Sequence, residues 1–189
     1  VDRRLELLRW AASANAWIIE DDYDGEYRYS GYPVAALQSL DKSGCVIYVG
    51  TFTKVLFNGL RLGFMILPER LVEPFTSARS LVDRHPPTLE QAILAEFITE
   101  GHFGHHIRRM RQNYAERNDI LKIAANKHLS GLLDVEHAAA GIRTLGWLKT
   151  WKSDIEAALQ ARKLGLEVEP LSTSIVKYER PPALMLGFA

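Results

Sequence analysis

Two short clusters in this sequence hold residue types suited to covalent chemistry at an amine. The first is Asp21-Asp22-Tyr23. The second is Gly50-Thr51-Phe52-Thr53-Lys54, followed seven residues later by Arg61. Lys54 offers a primary amine that can condense with an aldehyde. Asp21 offers a carboxylate that can hold a ring nitrogen protonated and so make the ring an electron sink. Thr51 and Thr53 offer hydroxyls, and Arg61 a guanidinium fork, for a phosphate. Tyr23 offers a phenol to tune an oxygen on the same ring. One cofactor asks for all of these at once, pyridoxal 5'-phosphate (PLP). Taken singly, each residue has a plainer reading: a surface lysine, a turn aspartate, a strand-ending threonine, a surface arginine. The set, in this order, is what points to the cofactor.

Ligands of open α/β sheets bind outside the carboxyl ends of the strands, so each cluster calls for a strand before it. The apolar runs at 16–20 and 46–50 are predicted to be buried strands, and 61–68 a third. Strands apolar throughout belong to a sheet covered on both faces, and helices between them indicate an α/β layer. Helical spacing of Leu5, Leu8, Ala11 and Ala12 predicts a helix over 1–14. Residues 30–45 read as loop with one short helix, and 69–84 as helix. Thr88 is the expected N-cap of the next helix, with Gln91 as its capping-box partner. That helix runs to about Glu100, and Gly101-His102-Phe103-Gly104 interrupts it. A long charged helix is expected from 105 to 129. Short strands (132–136, 142–149), a helix (152–164) and two more strands (166–170, 183–189) follow. The domain boundary falls at this interruption, giving domains at 1–104 and 105–189. His102, His105 and His106 cluster at the joint, but adjacent helical side chains diverge and Arg109 occupies the i+4 position. They read as a solvated hinge, and no metal site is expected.

Lysine plus arginine total 23 and aspartate plus glutamate total 23. That balance gives no sign of a nucleic-acid-binding body or a membrane-surface protein. A single cysteine, Cys45, excludes an internal disulfide framework and fits a reducing cytoplasmic compartment. No apolar run approaches the roughly 18 residues of a membrane span. The chain opens on Val1 in what reads as mid-helix and closes on an apolar stretch. The expectation is a piece of a longer protein, with the last helix of the second domain missing.

Thr51-Phe52-Thr53-Lys54-Val55-Leu56-Phe57-Asn58-Gly59-Leu60-Arg61-Leu62-Gly63 resembles the lysine segment of fold-type I PLP-dependent aminotransferases. Glu20-Asp21-Asp22-Tyr23-Asp24-Gly25-Glu26-Tyr27-Arg28-Tyr29 is similar to a run in the aminotransferase-like domain of MocR-type regulators, in the GntR superfamily. The lysine follows Asp21 by 33 positions, which suits that family. Arg108-Arg109-Met110-Arg111, Tyr114-Ala115-Glu116-Arg117, Ala139-Ala140-Gly141-Ile142 and Leu186-Gly187-Phe188-Ala189 fit it as well.

The resemblance implies an α/β, fold-type I architecture: part of a three-layer α/β/α large domain, then a small α+β C-terminal domain. It implies that Lys54 forms an internal aldimine with PLP. Asp21 would pair with the pyridinium nitrogen, Tyr23 with the phenolic oxygen, and Thr51, Thr53 and Arg61 with the phosphate. Asp22 alternates away from Asp21 and reads as structural. The implied protein is a cytoplasmic homodimer that senses a small amine or amino acid. It would bind DNA only through a separate N-terminal domain absent from this chain. The other implied reading is a working aminotransferase acting on an amino acid. Some positions depart from the pattern. Thr53 stands where serine is usual, Asn58 where proline is usual, and Arg143 where histidine is common. The arginine that grips a substrate carboxylate is absent near Ser172-Thr173 and near Met185, which leaves Arg143 and Arg180.

Overall fold

The computed structural model describes residues 2–84 and 86–189. The chain divides into two compact units. One holds the residues up to Gly25 together with Tyr32–His106, and the other holds Glu26–Gly31 together with Ile107–Ala189.

In the first unit, α1 (Asp2–Ser13) leads into β1 (Ile18–Asp22), α2 (Leu37–Leu40), β2 (Val46–Thr51) and β3 (Gly63–Ile66). Helices α3 (Glu69–Val82) and α4 (Thr88–Thr99) follow. The sheet order is β1-β2-β3, with β1 parallel to β2 and β3 antiparallel to it. Leu8 and Ala11 of α1 pack with Leu37, Cys45 and Val46, and Ile18 and Leu40 close the cluster. Ile18 and Val46 are register partners. Paired residues of neighbouring strands share a face, so this core lies on one side of the sheet.

Two carboxylates pin the strands. Asp41 accepts the N–H groups of Ser43, Cys45 and Val46 at 2.6–2.8 Å, fixing the entry to β2. Burial alone would raise the Asp41 carboxyl, but these backbone hydrogen bonds outweigh it and hold it below the usual range. Burial, with the Asp41 charge beside it, pushes the Cys45 thiol up. Glu20 on β1 accepts the N–H groups of Leu37 and Gln38 at 2.6 and 2.9 Å, and pairs with Arg4. A strand side chain thus satisfies the orphan donors at the start of α2.

Three expectations need correction. The first and third strands are both expected to be buried, yet β1 has no fully buried residue, with Ile19 70% exposed, and all four residues of β3 are exposed; only β2 is largely covered. Strand β3 is the last strand of the sheet order, and among the described residues no strand pairs its free edge. Its one ring, Phe64, lies against Tyr48 and Phe52 although it stays partly open to solvent. That ring lies where a side chain at position 50 would go: a Cβ on Gly50 would come within 2.5 Å of it. Thr88 is not a cap. Pro87 precedes α4, its carbonyl accepts the Gln91 N–H, and no side chain caps the helix. The break after α4 is also shorter than expected. Glu100 and Gly101 alone make it, Gly101 at φ +82°, and α5 (His102–His128) starts at the next residue.

In the second unit the later part of α5 is followed by β4 (Leu133–Val135), β5 (Arg143–Leu148), α6 (Asp154–Lys163), β6 (Glu169–Pro170) and β7 (Ala183–Gly187). The order β4-β5-β7-β6 is antiparallel throughout. Ala125, Leu133 and Val135 form a core with Leu121, Leu148 and Leu186. Ser153 caps α6 by accepting the Glu156 N–H. At the other end Gly165, at φ +83°, lets the N–H groups of Gly165 and Leu166 turn back onto Arg162 and Ala161. Asp154 accepts from the Ser172 hydroxyl and N–H at 2.6 and 2.9 Å. Burial would raise its carboxyl, but these bonds and the Ala183 N–H lower it overall.

The segment Glu26–Gly31 is sewn into this second unit. Gly141 donates its N–H to the Tyr27 carbonyl, and Tyr29 and Ser30 donate theirs to Ala139. The Tyr29 hydroxyl donates to the Gly141 carbonyl at 2.7 Å. Arg111 donates from both Nε and Nη2 to the Glu26 carbonyl. The facing loop is itself held by Asn118, which is fully buried and bonds both the N–H and the carbonyl of Ala138.

Candidate active site

Side chains alternate across a strand, and the register decides which of the β1 carboxylates faces where. Asp21 pairs with Val49 and Asp22 with Gly50. Thr51 lies two residues past Val49, so Asp21 and Thr51 share a face at the carboxyl ends of parallel strands. Asp22 points to the opposite face. There it accepts from the Tyr48 hydroxyl at 2.9 Å and from the Gly25 N–H at 3.0 Å. Glu20, on the same side as Asp22, is occupied at α2. Asp21 alone of the three is exposed, with no hydrogen bond or ion pair among the described residues.

The lysine sits on a built turn. The Thr51 hydroxyl accepts the Thr53 N–H at 3.1 Å, which leaves its own hydrogen free to be donated. The Leu56 N–H reaches back to the Phe52 carbonyl at 2.9 Å, so residues 52–56 close a single helical turn with Lys54 at its centre. The next residue, Val55, is 2% exposed, and its carbonyl lies 2.7 Å from His106 Nε2. A carbonyl only accepts, so Nε2 carries the hydrogen. The residue after Lys54 is thereby fixed by its own buried side chain and by a histidine on its carbonyl, while the lysine itself stays exposed.

Arg61 lies where the ladder ends. The Phe52 N–H donates to the Leu62 carbonyl at 3.0 Å, so Thr53 and Arg61 are the next residues outward on the two strands. Arg61 is held at φ 51°, ψ 28°, the left-handed region, between a 3-10 turn and β3. That conformation costs a non-glycine residue about 1–2 kcal/mol, and such strain gathers at functional sites. Arg61 also lines a cavity of about 790 Å³ with Val49, Gly50, Phe64 and Arg79.

Five of the six sequence-predicted residues are therefore gathered at one end of the sheet: Asp21, Thr51, Thr53, Lys54 and Arg61. Tyr23 lies two residues past Asp21, beyond the strand, 48% exposed, and no hydrogen bond joins it to the others among the described residues. His106 was read as a solvated hinge residue. It is half-buried and holds the Val55 carbonyl instead, across 51 positions of sequence. No local pattern announces such a contact. Of the two carboxylate-binding candidates, Arg143 is paired with Glu169 at 2.6 Å.

The donor set fits PLP: an exposed amine, a free hydroxyl hydrogen, and a carboxylate and a guanidinium that have no side-chain partner among the described residues. The same site supplies no cysteine or histidine cluster, and no group of three metal-binding side chains occurs among the described residues.

The fold is that of the fold-type I PLP-dependent aminotransferases. The kynurenine aminotransferase of Pyrococcus horikoshii, crystallised with PMP, matches with a TM-score of 0.85 and 26% identity, over 100% of this chain and 46% of that one. In sequence the chain resembles MocR-type regulators along its whole length. It is 40% identical over 189 residues to the probable rhizopine catabolism regulatory protein MocR of Rhizobium meliloti, covering 38% of that protein. It is 39% identical over 188 residues to YhdI, an uncharacterised HTH-type transcriptional regulator of Bacillus subtilis, covering 40% of it. The chain thus spans about two-fifths of the length of these curated relatives. No family model matches it. No helix among the described residues is long and apolar enough to cross a membrane.

Proposed function

We propose that this chain is the PLP-binding effector part of a MocR-type transcriptional regulator. The carrying observation is the selective presentation of Asp21. Strand β1 commits Glu20 and Asp22 to the protein and leaves Asp21 alone on the face that Thr51 shares. When bound, the cofactor would supply an aldehyde and an electron-withdrawing ring. Lys54 would bond the aldehyde carbon through its Nζ. Asp21 would keep the ring nitrogen protonated, and Tyr23 would donate to the ring oxygen. Thr51, Thr53 and Arg61 would hold the phosphate, and the His106–Val55 bond would keep Lys54 in place. In this reading the protein is a cytoplasmic homodimer. A small amine or amino acid would be the signal received at the Lys54 site, and DNA would be bound by another domain of the full-length protein.

The likeness to regulators at 39–40% identity, against 26% for the aminotransferase structure, favours signalling. Catalytic transamination is the second reading, favoured by the agreement in fold. In it Lys54 would also take and return the proton at the substrate α-carbon as a general base.

The test uses the full-length protein incubated with PLP, reduced with borohydride, digested and analysed by mass spectrometry. The pyridoxyl mass should sit on the peptide containing Lys54 and vanish in Lys54→Ala. A label that persists on another lysine in Lys54→Ala would refute the assignment. Turnover of an amino acid with an oxo-acid, followed chromatographically, then separates the two readings.

A further inference from the structure

Within the second unit, Arg28, Tyr29, Arg108, Arg111, Gln112 and Ala115 line a cleft of about 250 Å³. Three of the six are arginines and none is acidic. Arg108, Arg111, Gln112 and Ala115 fall at i, i+3, i+4 and i+7 on α5, one face of the helix. Arg28 comes from the sewn-in segment. None of the three guanidiniums forms an ion pair with the protein among the described residues. Arg111 is fixed by the Glu26 carbonyl, which takes Nε and Nη2 and leaves the Nη1 hydrogens free. Arg28 makes one long bond, 3.3 Å, from Nη1 to the Ser30 carbonyl, and keeps its other donors. The Glu116 carboxylate accepts from Gln112 at 3.3 Å and lies outside the lining.

Three like charges around one concavity repel one another, and an oxyanion seated among them removes that penalty while accepting charge-assisted bonds. We infer that this cleft is a binding site for a small oxyanion, a carboxylate or phosphate group, separate from the Lys54 site. The concavity and its size favour a small anion over an extended polyanion.

The test is calorimetric titration of the full-length protein with inorganic phosphate, and separately with malonate, at constant ionic strength set by chloride. Arg108→Gln and the charge reversal Arg108→Glu alter an exposed side chain and leave the packing alone. The expected result is a saturable binding phase in the wild type that is weakened about tenfold or more in Arg108→Gln and lost in Arg108→Glu, with any separate phase at the Lys54 site unaffected. Arg61→Gln, which cripples the proposed cofactor phosphate site, should leave this binding intact. Tighter binding of one probe identifies the headgroup. Binding lost in Arg61→Gln but kept in both Arg108 variants would overturn the proposal, because phosphate would then occupy the Lys54 site. Absence of any saturable heat would also overturn it, as would binding of a DNA duplex alone.

Discussion

Asp154 and Asp41 are the carboxylates whose loss the protein should feel most. Each gathers several N–H or O–H donors, most of them at least partly buried, and a vacancy leaves those donors without their partner. Asp154→Ala should lower unfolding stability by about 2–4 kcal/mol, measurable by urea denaturation. Both carboxyls titrate below the usual range in the folded state. Their stabilisation is therefore fully present above the unfolded carboxylate value of about 4 and is lost as pH falls through the lower folded values. Urea midpoints measured from pH 6 to pH 2.5 should fall steeply below about pH 4, and the fall should be shallower in Asp154→Asn. At this scale the sequence was partly legible. Alternation along a strand separated Asp21 from Asp22, because a period of two is a local property. The partners of Asp154 and His106 lie 18 and 51 positions away, and no local period encodes them.

At the scale of elements, the sewn-in segment Glu26–Gly31 shows how a short stretch can belong to a distant part of the chain. Its polar, aromatic sequence reads as loop, and only its pairing to residues 139–141 makes it structural. Asn118 holds the loop it docks on. Asn118→Ala strands the N–H and carbonyl of Ala138 and should cost about 2–4 kcal/mol. Asn118→Asp should also destabilise, because a carboxylate faces the Ala138 carbonyl without a hydrogen to donate. Tyr27 offers the contrast. Its hydroxyl is buried without a partner among the described residues, and burial, with Tyr114 close by, pushes its ionisation up. Tyr27→Phe keeps the edge contact with Tyr114 and should leave stability equal or up to about 1 kcal/mol higher. Both effects are read from thermal melts followed by circular dichroism. Strand positions were legible here because the runs are short and apolar, whereas their burial was not, since β1 and β3 carry no buried residue. The missed cap at Thr88 was not: Pro87 holds the boundary position, and a proline next to a threonine leaves two candidate starts.

For the whole molecule, the α/β texture and the change to short strands after residue 130 were both readable, while the antiparallel pairing of those strands was not. The openness of β3 was not, because composition marks an apolar strand without saying what covers it. Phe64, Met65 and Ile66 are 41–51% exposed beside an unpaired strand edge. An open apolar edge invites pairing with another chain. Expressed as these 189 residues, the protein should self-associate with rising concentration in light scattering, and Met65→Lys with Ile66→Lys should reduce that association. Unchanged association in the double variant would place the contact elsewhere.

Arg61 carries two demands that a population of variants would pull apart. Its left-handed backbone favours residues such as glycine or asparagine, while a phosphate favours the guanidinium fork. A library randomised at this codon and sorted for resistance to proteolysis should enrich glycine and asparagine and deplete valine and isoleucine. The same library sorted for cofactor retention should return arginine. If the two sorted pools disagree in this way, position 61 is a place where natural selection has held a strained residue against its folding preference.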